Sequence, residues 1–155
     1  MILEKVFSPE TVILNLESTD KDELFEEMVE SIVRVHPDLD RTQALTALRE
    51  RESKMSTGIM HGIAVPHGNC ASAKDVIGAI GISRAGIDYD SLDKAPVNLV
   101  FLVLCNPEQP EMHLSVLKEL ASVLQNPGFV ADVMEKKTAQ EVYDLLCAYK
   151  NASLL

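Results

Sequence analysis

Apolar side chains recur at helical spacing in several stretches of the chain and crowd into short runs elsewhere. Leu24, Phe25, Met28, Ile32 and Val33 form one stripe, with Asp22, Glu26, Glu27 and Glu30 largely outside it, which predicts an amphipathic helix. Ser18-Thr19-Asp20 supplies its cap candidates, Glu23 stands where a capping side chain is reciprocated, and His36-Pro37 stops it. A second helix is expected from the cap residue Asp40 through Ala44, Leu45 and Leu48 to about Arg51. A third begins near Glu111, with Leu114, Leu117, Leu120, Ala121 and Leu124 at helical spacing. Asn126-Pro127 starts a short helix to about Met134. The capping box Thr138/Glu141 opens the last, which buries Val142, Leu145, Leu146 and Tyr149.

Two runs are dense enough for strands, Asp75–Ser83 and Val97–Cys105. The second barely alternates, as expected of a strand buried on both faces. Thr11–Leu16 predicts a further short strand and Gly62–Val65 another, the rest of Ser53–Asn69 being loop. The order is β-α-α-β-β-β-α-α-α. It implies an α+β fold in three layers, α/β/α, with a mixed sheet flanked by helices. No repeat or linker divides residues 1–155, so one domain is expected.

Charge and cysteine content narrow the partners. There are 14 Lys and Arg against 24 Asp and Glu, a net charge of −10, which disfavours coating nucleic acid or an anionic membrane. Cys70, Cys105 and Cys147 are odd in number and far apart, which points to a reducing compartment rather than a disulfide framework. The opening MILEKVFSPE lacks the regions of a secretory signal. Val97–Cys105 is about half of the ~20 residues a membrane helix needs. A cytoplasmic protein without membrane insertion is expected.

The chemistry concentrates in Arg51–Asn69, RESKMSTGIMHGIAVPHGN. Pro66 stiffens the backbone before His67, and Gly68 leaves room beside the ring. One ring nitrogen can then face solvent while a backbone group orients the other. Taken alone, the histidine is better explained by a structural role, and Arg51 by a charged helix face shared with Glu50 and Glu52. His36 reads as a helix-end or solvent residue, and Cys105 and Cys147 as core thiols. The spacing of His61, His67 and Cys70 is not a common zinc framework. Asp88, Asp90 and Asp93 form an acidic turn without the later glycine and glutamate of a calcium loop.

As a pattern, R-E-x₃-S-T-G-I-x₂-G-I-A-V-P-H-G, Arg51–Gly68, resembles the phosphorylation-site signature of the fructose/mannitol class of enzyme IIA. These proteins belong to the bacterial phosphoenolpyruvate-dependent sugar phosphotransferase system and include nitrogen-regulatory relatives. E-M-H-L around His113 is a second, weaker match. The resemblance implies that His67 accepts a phosphoryl group from the phosphocarrier HPr, through Nε2, and passes it to a IIB component for carbohydrate uptake. It gives His113 the role of stabilising the phosphoryl group and Arg51 that of offsetting its charge, with Ser56, Thr57 and Gly58 shaping the pocket. No metal or organic cofactor is required, because the donor is a protein. The alternative within the family is a nitrogen-regulatory IIA whose phosphorylation state controls target proteins. His61, Lys94 and Met112 depart from the family pattern, which commonly has a small or amide residue, a glycine and an acidic residue there. Met55, Met60 and Met112 flank the site and could form an apolar docking rim.

Overall fold

A strand with no polar face has to be covered on both sides, and the structure does this for Val97–Cys105. The structure is a computed structural model that describes residues 2–59, 61–126 and 128–153. Its elements are α1 (Ile2–Val6), β1 (Val12–Ile13), α2 (Lys21–Val35), α3 (Arg41–Lys54), β2 (Ile63–Ala64) and β3 (His67–Asn69). After them come β4 (Val76–Ile87), β5 (Val97–Cys105), α4 (Pro110–Leu124), α5 (Phe129–Glu135) and α6 (Ala139–Ser153). β5 runs antiparallel to β4 on one side, from Val76 opposite Cys105 to Ile82 opposite Leu99. On its other side it pairs in parallel with β2 and then β3, which lie end to end along one edge. β1 closes the opposite edge, parallel to β4.

Side chains of β5 alternate between two cores, as a strand of period two must. Val100, Leu102 and Leu104 pack with Leu24, Phe25, Met28, Ile32 and Leu48 of α2 and α3. Leu99, Phe101, Val103 and Cys105 pack on the other face with residues of α1, α4, α5 and α6. Burial pushes the Cys105 thiol up to about 12, so it serves as packing.

The mixed sheet between two helical layers is the architecture expected from the sequence. Several details differ. α1 was not foreseen, since five residues are too few to show a period. The strand expected over Thr11–Leu16 is paired only at Val12 and Ile13, although Leu16 still donates its N–H to Ile82 O. β4 continues to Ile87 across a register irregularity after Ile82, into a segment that reads as turn. β3 forms where loop was expected. The caps act as anticipated with one shift: Asp20 accepts from Glu23 N, and the Glu23 carboxylate reaches back chiefly to Thr19. Thr138 and Glu141 form their reciprocal box. Pro127 lies outside the described residues.

The β4–β5 turn holds Lys94 at φ 62, in the left-handed region where a side chain is strained and glycine is not. The resemblance drawn from the sequence makes glycine the common residue at this position. Lys94 reaches Asp90, itself at φ 56, through an exposed pair at 2.9 Å. Such a pair contributes little. Lys94→Gly and Lys94→Ala both lose it, so their difference isolates the backbone. The glycine variant should be the more stable by about 1 kcal/mol in denaturant unfolding.

Candidate functional site

Parallel pairing carries two distant histidines to one end of the sheet. His67 opens β3 opposite Val103. β5 then ends at Cys105, and Asn106 turns the chain by donating to Ala73 O and accepting from Glu108 N. Pro110 supplies a preset dihedral at the first position of α4, and His113 follows within its first turn. The two imidazoles lie edge to face with centroids 5.4 Å apart.

His67 Nδ1 lies 2.8 Å from Val65 O. A carbonyl can only accept, so this bond requires the proton on Nδ1 and leaves the lone pair on Nε2. The third face of the site comes from α3. Ala47, Glu50, Arg51 and Lys54 follow one another at helical spacing and, with His67, Gly68, Asn69 and His113, line a cavity of about 380 Å³. What lets α3 come so close is Gly68. A Cβ there would stand 2.9 Å from the Ala47 carbonyl carbon, so the residue has to be small to admit the helix backbone.

Both rings are half-buried, and both hold their protons less tightly than an ordinary histidine at 6.5. For His67 burial is the first cause; the Val65 bond opposes it, Arg51 adds to it, and Glu52 opposes it. For His113 burial leads and the neighbouring His67 adds. Among the described residues His113 Nε2 is buried without a hydrogen-bond partner, so it has bonding capacity to offer an incoming group. Arg51 donates to Met55 O at 3.0 Å, which ties it to the end of its own helix and leaves other guanidinium N–H groups for an anion.

Ser56, Thr57 and Gly58 do not line this cavity. Thr57 turns inward: its N–H and hydroxyl donate to the buried Glu52 carboxylate at 2.8 and 2.5 Å, and its hydroxyl lies 2.7 Å from that of Tyr89. Tyr89 donates to the same carboxylate, and Lys21 approaches it at 3.3 Å while lying 4.8 Å above the Tyr89 ring. Ser56 Oγ accepts from Gly58 N. Burial, then the Glu52 charge, raises the Tyr89 pKa, so the phenol stays protonated. Sequence reading missed Lys54 and Asn69, which line the cavity, and the Glu52–Tyr89 contact. The spacing of Lys54 from Ala47 and Arg51 could have found the first.

His36 is exposed and closes α2 through its N–H to Ile32 O at 2.7 Å. His61 is exposed at φ 57, and Cys70 is buried with its thiol on Gln43 Oε1. Among the described residues no group of His, Cys, Asp and Glu is arranged to hold a metal. Nor is any helix of these residues long and apolar enough to cross a membrane. Met55, Ile59, Leu92, Met112 and Leu114 are exposed apolar residues; Met60 lies outside the described residues.

The family described as "Phosphoenolpyruvate-dependent sugar phosphotransferase system, EIIA 2" matches residues 5–149. A fructose-specific EIIABC component of Bacillus subtilis is 32% identical over 94% of the chain, which spans 23% of that longer protein. A nitrogen regulatory protein of Pseudomonas aeruginosa is 29% identical over 96% of the chain and 97% of its own length. Among solved structures, nitrogen regulatory protein IIA-Ntr from Neisseria meningitidis superposes with a TM-score of 0.87 at 29% identity, covering 94% of this chain and 99% of that one. The Escherichia coli IIA mannitol structure shares the fold, with a TM-score of 0.71 at 20% identity over 90% of this chain and 98% of that one.

Gly68→Ala should push α3 off β3, costing about 1–3 kcal/mol in unfolding experiments and displacing Arg51 and Lys54 from the histidines. The depressed imidazoles also set a pH dependence. Between their folded values and the ordinary 6.5, the unfolded chain binds more protons than the folded one. Their contribution to stability is therefore complete above 6.5 and is lost as pH falls through the folded values. Imidazole NMR titrations should place both midpoints below 6.5, and a midpoint above it for His67 would contradict the burial described.

Proposed function

The chain belongs to the EIIA 2 family of the phosphoenolpyruvate-dependent sugar phosphotransferase system, and from that membership we propose that it is a phosphocarrier with His67 as its phosphorylated nucleophile. The observation that carries this reading is the bond from His67 Nδ1 to Val65 O, which leaves Nε2 unprotonated beside a cavity lined by a cation. In the proposed step Nε2 attacks the phosphorus of phospho-HPr in line. A P–N bond forms at His67 as the P–N bond to the donor histidine breaks. Such transfer depends on placement and charge stabilisation more than on acid–base machinery. A depressed pKa keeps the nucleophile neutral at pH 7.

The phosphoryl group adds negative charge to a protein already at −10, so cationic and donor groups have to be local. Arg51 is given the charge-offsetting role and His113 the stabilising one, with Lys54 beside them. The Ser56–Gly58 loop supports the pocket from behind, since Thr57 is committed to Glu52. The exposed Met55, Met112 and Leu114 suit the docking of HPr and a IIB component. The final acceptor in this reading is a IIB component for carbohydrate uptake. A second reading, a nitrogen-regulatory IIA, is favoured by the superposition on the Neisseria meningitidis IIA-Ntr structure at a TM-score of 0.87 and 29% identity. There the phosphate would switch a docking surface instead of moving on to a sugar.

Incubation with phosphoenolpyruvate, enzyme I and HPr should add one phosphoryl group, seen by mass spectrometry and mapped to His67. His67→Ala should abolish it, and label surviving in that variant would refute the assignment. His113→Ala should still accept the group but pass it to a fructose-class IIB about 100-fold more slowly. Wild-type protein that keeps its label in the presence of active IIB partners would favour the regulatory reading.

A further inference from the structure

The buried carboxylate of Glu52 is connected to the nucleophile by an unbroken series of hydrogen bonds. Glu52 Oε2 accepts from Thr57 N at 2.8 Å. Thr57 O accepts from Val65 N at 3.0 Å. Val65 O accepts from His67 Nδ1 at 2.8 Å. Thr57 and Val65 are thus each held on both their N–H and their C=O. Gly58 and Ala64 form an antiparallel bridge between them, and Ile59 N donates to Ile63 O, so the segment is a small hairpin laid against the edge of the sheet. The arm bearing Thr57 makes no ladder with β5. It is held on its outer side by Glu52, which accepts from Thr57 N, and by Leu92 N, which donates to Gly58 O at 3.0 Å.

Glu52 itself is costly to bury and is therefore surrounded. Lys21 of α2 approaches Oε2, and the Thr57 and Tyr89 hydroxyls both donate to Oε1. A carboxylate with four such contacts, drawn from α2, the hairpin and the β4–β5 connection, has little freedom to move. A neutral imidazole free in water prefers its proton on Nε2, which would block the attacking atom. The site therefore needs a rigid acceptor at Nδ1: the sheet holds Val65 through its neighbours Ala64 and Pro66, and the hairpin holds its N–H.

We propose that Glu52 is a positioning residue for phosphoryl acceptance: through Thr57 and Val65 it holds His67 in the Nδ1–H tautomer, with Nε2 free to attack. Its value for transfer rests on His67 being the acceptor, whereas its effect on the tautomer does not.

The tautomer is read from the ¹⁵N shifts of the His67 ring in unphosphorylated protein above pH 6.5, with no donor present. Wild type is expected to show Nδ1–H. Glu52→Ala should move population to Nε2–H and slow acceptance from phospho-HPr roughly 10- to 100-fold. Glu52→Asp keeps the charge beside Lys21 and withdraws the oxygens by one methylene, so it should shift the tautomer the same way even if the alanine variant does not fold. Glu52→Gln retains an acceptor for Thr57 N and should restore Nδ1–H. Tyr89→Phe loosens the same cluster without breaking the series and should lower the melting temperature with the tautomer unchanged. Wild-type tautomer and rate in folded Glu52→Ala or Glu52→Asp would overturn the proposal. So would an equal shift in Tyr89→Phe, which would mean general loosening. A wild type that accepts no phosphoryl group would defeat the phosphocarrier reading alone, since the tautomer measurement would still decide the role of Glu52.

Discussion

The parallel pairing of His67–Asn69 with Val103–Cys105 is the constraint on which the rest of the site depends. It places the first histidine at the end of the sheet where β5 hands the chain to α4, so the second arrives within one helical turn. A shift of one residue in that register would turn His67 to the other face of the sheet. The register is kept by side chains far from any chemistry, because β5 buries alternate residues in two separate cores.

Two close contacts then convert a pair of histidines into a site. Gly68 admits the backbone of α3, which brings Arg51 and Lys54 to the cavity. Glu52, on the same helix and four residues on from Leu48, points inward and secures the hairpin that carries Val65. One helix therefore presents cations on one stripe and a buried anion on another. This explains why so charged a segment is held in place: only Ala44, Leu48 and Glu52 of α3 are buried.

Much of this was legible in the sequence, and the remainder has physical reasons for being hidden. Asp20, Asp40 and Thr138 mark helix starts through local hydrogen bonds, which sequence records directly. The unbroken apolar run of β5 states its own burial. The signature around His67 and the helix start near His113 named the two residues that meet. β3 was read as loop because His-Gly-Asn has no strand propensity; its conformation is imposed by its neighbour. The inward turn of Thr57 and the burial of Glu52 were equally invisible, since a glutamate among Arg51, Ser53 and Lys54 looks like solvent-facing charge until the fold supplies Lys21 and Tyr89. The close approach of Ala47 to Gly68 was hidden for the same reason: it comes from a helix remote in sequence.

The outer margins of the sheet are also unusually poor templates for another chain. One ends in the two residues of β1. On the other, the outward groups of the β2 segment are already taken by the arm that carries Thr57: Val65 N donates to Thr57 O and Ile59 N to Ile63 O. An interior strand as apolar as β5 would invite intermolecular pairing if its edge were long and regular. The short arm that braces the approach to His67 thus also helps to keep a protein with so sticky a centre from polymerising through its sheet.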